Sequence, residues 1–136
     1  MANHTYQKYM EAEVLGADSV ELIQLLYRGA LEAVGAARRH LRAGNIADRS
    51  RQITRAWSIV QELAQSLDHA RGGELSPKLA DLYAYVQGRL LEGNAQQMDA
   101  PLAEVETLLG TLAEAWRGIT PMAPPEASYV PVRCSL

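Results

Sequence analysis

Cysteine is nearly absent from the chain, since Cys134 is the only one among 136 residues. An internal disulfide is therefore impossible, which favours a reducing compartment over that of a small secreted domain. Phenylalanine is missing altogether, and lysine occurs only at Lys8 and Lys78. The formal net charge is −3, so the composition gives no reason to expect binding to nucleic acid or to anionic membranes.

Long hydrophobic runs are also absent from the sequence. No segment approaches the roughly 20 apolar residues that cross a bilayer, and residues 1–13 have no apolar core like that of a signal peptide. We therefore expect a cytoplasmic protein that does not insert into membranes.

Catalytic and metal-binding motifs are missing as well. The histidines His4, His40 and His69 form no Glu-x-x-His pair and no cluster with cysteine at zinc-ligand spacing. The pair Gly72-Gly73 lacks the Gly-Lys-Ser/Thr ending of a phosphate-binding loop. The sequence predicts no cofactor, no metal and no enzymatic activity.

What the chain does contain is amphipathic helix, most clearly from Asp18 to Leu41. Two adjoining apolar stripes recur there at helical spacing. The first consists of Val20, Ile23, Tyr27, Ala30, Val34, Ala37 and Leu41, and the second of Leu22, Leu26, Gly29, Ala33 and Ala36. Because a single partner helix would need only one stripe, the extra width is expected to cover more surface than that.

Three further helices follow from the same periodicity and from capping residues. The second is predicted from about Ile46 to Ala70 after an Asn45 N-cap, the third from a Ser76 N-cap to Gly93-Asn94, and the fourth from Asp99 to Ile119. Short connections favour antiparallel neighbours. The predicted fold is an all-α, antiparallel, up-down-up-down four-helix bundle over residues 18–119. An N-terminal arm or cap (1–17) precedes it, and a flexible, proline-rich tail (120–136) follows.

Arginines cluster at Arg38, Arg39 and Arg42, near the end of the first helix. We interpret them mainly as a solvated surface that complements the helix dipole. A docking patch for an acidic partner is the alternative.

Several segments, in order, resemble the FliS family of flagellar secretion chaperones. The matching residues are Tyr6-x-x-Tyr9, Glu21-Leu22-Ile23-x-Leu25-Leu26-Tyr27-x-Gly29-Ala30, Ile53-x-x-Ala56-x-x-Ile59-x-x-Glu62-Leu63, Ser66-Leu67-Asp68, Gly72-Gly73-Glu74-Leu75, Leu79-x-x-Leu82-Tyr83-x-Tyr85-Val86, Arg89-Leu90, Asn94 and Ala115-Trp116. The resemblance implies a cytoplasmic chaperone that binds the disordered C-terminal segment of flagellin. It also implies that the tyrosine arm covers part of the binding surface and helps to dock the complex on a component of the flagellar export gate.

Candidate binding residues combine this resemblance with the apolar stripes. The expected client-binding groove consists of Leu22, Leu26, Tyr27, Ile53, Trp57, Leu82, Tyr83 and Val86, and the N-terminal gate of Tyr6, Tyr9 and Met10. Some of the groove candidates must instead belong to the core, and the sequence does not divide them.

Two alternatives stay open. The same apolar face could form a homodimer when no client is bound, making the protein a structural or regulatory adaptor. A phosphotransfer domain using His40 is disfavoured. Such domains carry Lys-Gly just after the histidine, whereas Leu41-Arg42-Ala43-Gly44 follows here, at a helix end.

Overall fold

The structure is a computed structural model that describes residues 19–67 and 75–118. Its four helices are α1 (Ser19–Ala43), α2 (Ile46–Gln65), α3 (Leu75–Gln96) and α4 (Asp99–Arg117). These two described ranges contain no strand, so the all-α prediction is confirmed. The predicted arm (1–17) and tail (120–136) lie outside the described residues.

The helices form a ring in chain order. α1 packs on α2, α2 on α3, α3 on α4, and α4 returns to α1, whereas the diagonal pairs make no close backbone contact within the described ranges. This is the predicted antiparallel up-down-up-down bundle. The ring places the α2–α3 seam and the α1–α4 seam on opposite sides of the molecule.

The wide apolar face of α1 is used inside the bundle. Leu26 and Ala33 of its second stripe are buried, and a Cβ on Gly29 would lie 3.2 Å from the Cδ1 atom of Ile59 in α2. Small residues are needed at this stripe because the two helices pack so closely. In this structure, therefore, α2 covers the second apolar stripe of α1, for which the sequence alone does not identify a partner.

Helix α1 ends where the sequence predicts, at Ala43 followed by Gly44. Gly44 has φ +77°, the Asn45 N–H donates to the His40 carbonyl at 2.9 Å, and the Gly44 N–H donates to the Leu41 carbonyl at 3.2 Å. These bonds form a Schellman motif. Asn45 occupies the N-cap position of α2, but its side chain makes no cap hydrogen bond and lies 3.4 Å from His40 Nδ1 instead.

The prediction that the second helix continues to Ala70 is wrong, because α2 ends at Gln65. At the next residue, the Ser66 hydroxyl donates to the Glu62 carbonyl at 2.7 Å. The Ser66 backbone N–H is shared between the carbonyls of Glu62 and Leu63, at 3.0 and 3.2 Å. A side chain that satisfies a carbonyl of the last turn competes with continuation of the helix.

Helix α3 begins one residue before the predicted Ser76 N-cap, so Ser76 lies in its first turn. It also continues past Gly93-Asn94 to Gln96. Gly93 is buried, and a Cβ there would lie only 2.8 Å from Leu102 Cδ2, so this glycine permits close packing of α3 on α4. The stop comes at Gln97, whose φ of 55° reverses the chain.

The predicted solvated role is wrong for Arg38, which joins α1 to α4. Its guanidinium donates to both Asp99 carboxylate oxygens at 2.7 and 2.8 Å, and it also contacts Glu106. The hydrogen bonds from Arg38 hold the pKa of Asp99 below its usual range. Arg39 and Arg42 are exposed, as the sequence predicts.

Arg49 forms the corresponding link between α2 and α3, and its side chain is only 5% exposed. Its Nε donates to Asn94 Oδ1 at 2.8 Å, and Ser50 donates to the same oxygen at 3.2 Å. A buried cation costs stability unless its donors are satisfied, and here an amide oxygen rather than a carboxylate satisfies Arg49.

Candidate binding surface

The structure divides the eight predicted groove residues into two groups. Five lie in the core with 2% exposure or less: Leu26, Tyr27, Ile53, Tyr83 and Val86. Three are half-buried and reach the surface: Leu22, Trp57 and Leu82. Client contact with the first group would require the bundle to open, and their role in binding stays a prediction. The gate residues Tyr6, Tyr9 and Met10 lie outside the described residues.

Two of the buried candidates form the polar centre of the core. The hydroxyl groups of Tyr27 and Tyr83 lie 2.6 Å apart and are hydrogen-bonded to each other, which joins the diagonal helices α1 and α3. Burial raises the pKa of both hydroxyls above the ordinary value for tyrosine, so both are neutral at physiological pH. A paired position in the core explains why these two large side chains are tyrosines.

This pairing predicts strong coupling between the two hydroxyl groups. Tyr27→Phe leaves the Tyr83 hydroxyl buried without this partner and is expected to cost about 1–3 kcal/mol. The double variant Tyr27→Phe/Tyr83→Phe is expected to cost clearly less than the two single substitutions added together. Urea unfolding of the wild type, the two single variants and the double variant gives the four free energies of this double-mutant cycle. Additive losses would contradict the pairing.

The α2–α3 seam is closed by amide groups rather than by large apolar side chains alone. Gln87 donates to the Trp57 carbonyl at 3.2 Å and to Gln61 Oε1 at 3.0 Å. Trp57 is half-buried beside these bonds. This part of the seam therefore consists of uncharged groups, namely the amides of Gln61 and Gln87 and the indole of Trp57.

Beside these amide groups, α3 carries a stripe of small and apolar residues, which we call the α3 stripe. Its members recur at spacings of four, four, three and four and therefore share one face: Ala80, Ala84, Gly88, Leu91 and Ala95. All but Ala80 are exposed, Leu91 to 52%. A Cβ on Gly88 would meet nothing within 4 Å. None of these positions is charged, so a partner helix could approach the backbone of α3 closely.

Exposed apolar side chains extend the stripe at one end of the seam. Ile46 is 57% exposed and lies one turn before Arg49, while Met98 is 47% exposed and follows Gln97, which accepts from Arg49 at 3.4 Å. Leu91 lies one turn before Asn94, the main partner of Arg49. Ile46, Leu91 and Met98 thus each lie within one turn, along the chain, of a residue that takes part in the Arg49 hydrogen bonds, and they add exposed apolar area at this end of the seam.

Sequence reasoning missed Ile46, Leu91 and Met98 as surface candidates. A signal was available for Leu91, because it follows the core residue Leu90 and so must point away from the stripe that contains Leu90. Met98 lies in the connection between α3 and α4, where no periodicity applies.

Within residues 19–67 and 75–118, no group of three or more histidine, cysteine, aspartate or glutamate residues is placed to hold a metal ion. In the same part of the chain, no helix is long and apolar enough to span a bilayer. The geometry that stands out in these ranges is the uncharged α3 stripe beside the α2–α3 seam.

The comparisons with known proteins agree with one another, and all of the similar proteins described below are flagellar. The family model described as "Flagellar protein FliS" matches residues 1–123. The flagellar secretion chaperone FliS of Salmonella typhimurium is 36% identical over 118 residues, which cover 86% of this chain and 87% of the relative. Flagellar secretion chaperone FliSB of Pseudomonas aeruginosa is 38% identical over 114 residues, covering 84% and 90%. FliS of Bacillus subtilis is 30% identical over 112 residues, covering 82% and 83%.

Proposed function

Because the chain belongs to the FliS family of flagellar secretion chaperones, we propose that its client is the C-terminal segment of flagellin. In this proposal the protein binds the segment in the cytosol, prevents premature polymerisation and delivers flagellin to the flagellar export gate. It does so by binding alone, without a cofactor or a catalytic step.

The observation that carries this proposal is the α3 stripe beside the α2–α3 seam. An amphipathic segment that becomes helical on binding needs a groove with apolar anchors and room for its backbone. The exposed Leu91 and the half-buried Trp57 supply anchors, and the open space over Gly88 supplies the room. The absence of charge along the stripe lowers the cost of desolvating this surface.

Folding on binding also suits a client that must later be released. Ordering a disordered segment costs free energy and so lowers the affinity obtained per unit of buried area. Flagellin polymerises through its termini, so a chaperone that occupies one terminus blocks filament growth in the cytosol. Moderate affinity then allows the segment to leave for secretion in an unfolded form.

The proposal also includes an N-terminal gate, which consists of Tyr6, Tyr9 and Met10. They would cover part of the apolar surface until the client displaces them, and then help to present the complex to the export gate. Leu22 and Leu82 of the predicted groove are half-buried and could add contacts at the surface.

The test is calorimetric titration of the full chain with a synthetic peptide that spans the C-terminal segment of flagellin. Circular dichroism is recorded alongside. We expect saturable one-to-one binding with a gain of helix. Size-exclusion chromatography distinguishes the adaptor alternative, because that alternative predicts a homodimer that the peptide does not convert to a heterodimer. A folded protein that gives no heat of binding would contradict the proposal.

A further inference from the structure

Two glutamines at the α2–α3 seam fix each other's orientation. The Trp57 carbonyl can only accept a hydrogen bond, so the side-chain nitrogen of Gln87 must face it, and Gln87 Nε2 donates to this carbonyl at 3.2 Å. The other hydrogen of Gln87 Nε2 is donated to Gln61 Oε1 at 3.0 Å. Because each orientation follows from the preceding bond, the two amide groups have a defined polarity.

This arrangement leaves one hydrogen-bonding group on each glutamine without a partner. Gln87 Oε1 is an acceptor and Gln61 Nε2 carries two donor hydrogens, and neither atom is hydrogen-bonded to any residue within 19–67 or 75–118. Both side chains are half-buried, so part of their contact with water is already lost. Unpaired amide groups at a partly desolvated surface favour a partner that completes their hydrogen bonds.

The neighbouring residues leave the two amides accessible. Ala84 and Leu91 lie about one turn on either side of Gln87, and both are exposed. A Cβ on Gly88, the next residue along α3, would meet nothing within 4 Å. In the described ranges, neither glutamine is hydrogen-bonded to a charged side chain. The free donor and the free acceptor therefore lie beside the α3 stripe, at a surface where a partner meets uncharged groups.

A carboxamide is the side-chain group that matches both free groups at once. Its oxygen accepts from Gln61 Nε2 and its nitrogen donates to Gln87 Oε1. A carboxylate has no hydrogen to donate to Gln87 Oε1, and an ammonium group has no lone pair to accept from Gln61 Nε2. A hydroxyl group carries both functions on a single atom, whereas the free donor and acceptor belong to two different side chains.

We propose that Gln61 and Gln87 form a subsite that binds the side chain of one asparagine or glutamine of the client. The inference rests on the proposed function, because it concerns the segment that is expected to lie along the α3 stripe. A helical client satisfies its own backbone groups internally, so a side chain must supply the two hydrogen bonds. An apolar side chain at the same place would leave both amides unpaired beneath the bound helix, which gives the subsite its selectivity.

The experiment uses the full chain and the flagellin peptide of the titration described above. In a series of peptide variants, each asparagine is replaced in turn by leucine and each glutamine by methionine, which keeps the approximate size and removes the amide. Calorimetric titration of the wild type is expected to find one position at which the replacement weakens binding at least tenfold. The other replacements are expected to stay within twofold.

Gln61→Glu is the matched variant of the protein, because its carboxylate still accepts from Gln87 but has no hydrogen to donate to the client. With this variant, replacement at the sensitive peptide position is expected to change the affinity less than twofold, since the contact is already lost. Gln61→Met is expected to give the same result without an added charge. Gln65→Glu adds the same charge at an exposed position one turn further along α2 and is expected to keep the tenfold effect. Circular dichroism confirms that the three variants are folded.

Each contrary result has its own meaning. If the unmodified peptide does not bind the wild type, the proposed function is wrong and this inference fails with it. If the peptide binds but no replacement weakens binding tenfold, the two amides are only hydrated in the complex, and this inference alone is wrong. A peptide position that stays sensitive with both Gln61→Glu and Gln61→Met has its partner elsewhere on the protein, which would also overturn the inference.

Discussion

Replacing Leu90 with alanine is expected to lower the free energy of unfolding by about 2–5 kcal/mol. Leu90 is fully buried on α3, in the same cluster as Tyr83, Val86 and Leu102. Truncation removes transfer free energy and leaves a cavity among helices that are held in place from several sides. Urea unfolding followed by circular dichroism measures the loss as a lower midpoint with an unchanged slope.

The adjacent residue provides a matched control. Leu91→Ala removes the same atoms from a side chain that is 52% exposed, so its effect on unfolding is expected to stay within about 0.5 kcal/mol. The two variants have the same composition and the same helix propensity. Equal losses for both would mean that Leu91 is packed as deeply as Leu90, which would also remove it from the proposed client surface.

The helices and most of the core could be predicted because periodicity is a local property of the sequence. Each helix has an apolar stripe at helical spacing, and one residue from each stripe illustrates the result: Val34, Val60, Leu90 and Leu109 are all fully buried. Connections of a few residues then favour antiparallel neighbours in chain order. Gly44 shows the same principle at a helix end, because a positive φ is most accessible to glycine.

Contacts between helices could not be predicted from the same information. From the sequence, Gly93 indicates a helix end. In the structure it is a point of close packing, where a Cβ would lie only 2.8 Å from Leu102 Cδ2 of α4, and this contact cannot be read from α3 alone. Arg38 looked like a solvated cation until α4 placed Asp99 beside it. Periodicity indicates that a residue faces inward, but the register between helices decides which partner it meets.

Which of the groove candidates lie in the core could not be predicted, for a related reason. Aromatic and apolar residues on the predicted stripes were the strongest signals, so Tyr27 and Tyr83 were included in the groove. The structure places them in the core, hydrogen-bonded to each other. Ala84 and Gly88 gave no such signal, because a small residue stands out only when the surface around it is known to be open.

That open surface leads to the prediction with the largest effect on binding. Gly88→Gln is expected to weaken binding of the flagellin segment at least 100-fold, which corresponds to about 2.7 kcal/mol. The added side chain stands in the space where the client backbone would approach α3, so the client helix is held away along its whole length. Stability should rise by about 0.5–1 kcal/mol instead, because glycine is a poor residue for the interior of a helix and a Cβ there meets nothing within 4 Å.

Gly110→Gln is the matched control for this substitution. Gly110 also lies within a helix, and a Cβ there also meets nothing within 4 Å, but it belongs to α4, which packs on α1 on the opposite side of the bundle. It is expected to give the same gain in stability and to leave flagellin binding unchanged, as measured by calorimetric titration and thermal unfolding. If Gly110→Gln abolishes client binding and Gly88→Gln does not, the client lies on α1 and α4. Because one variant should become more stable while losing its client, general unfolding could not account for the loss.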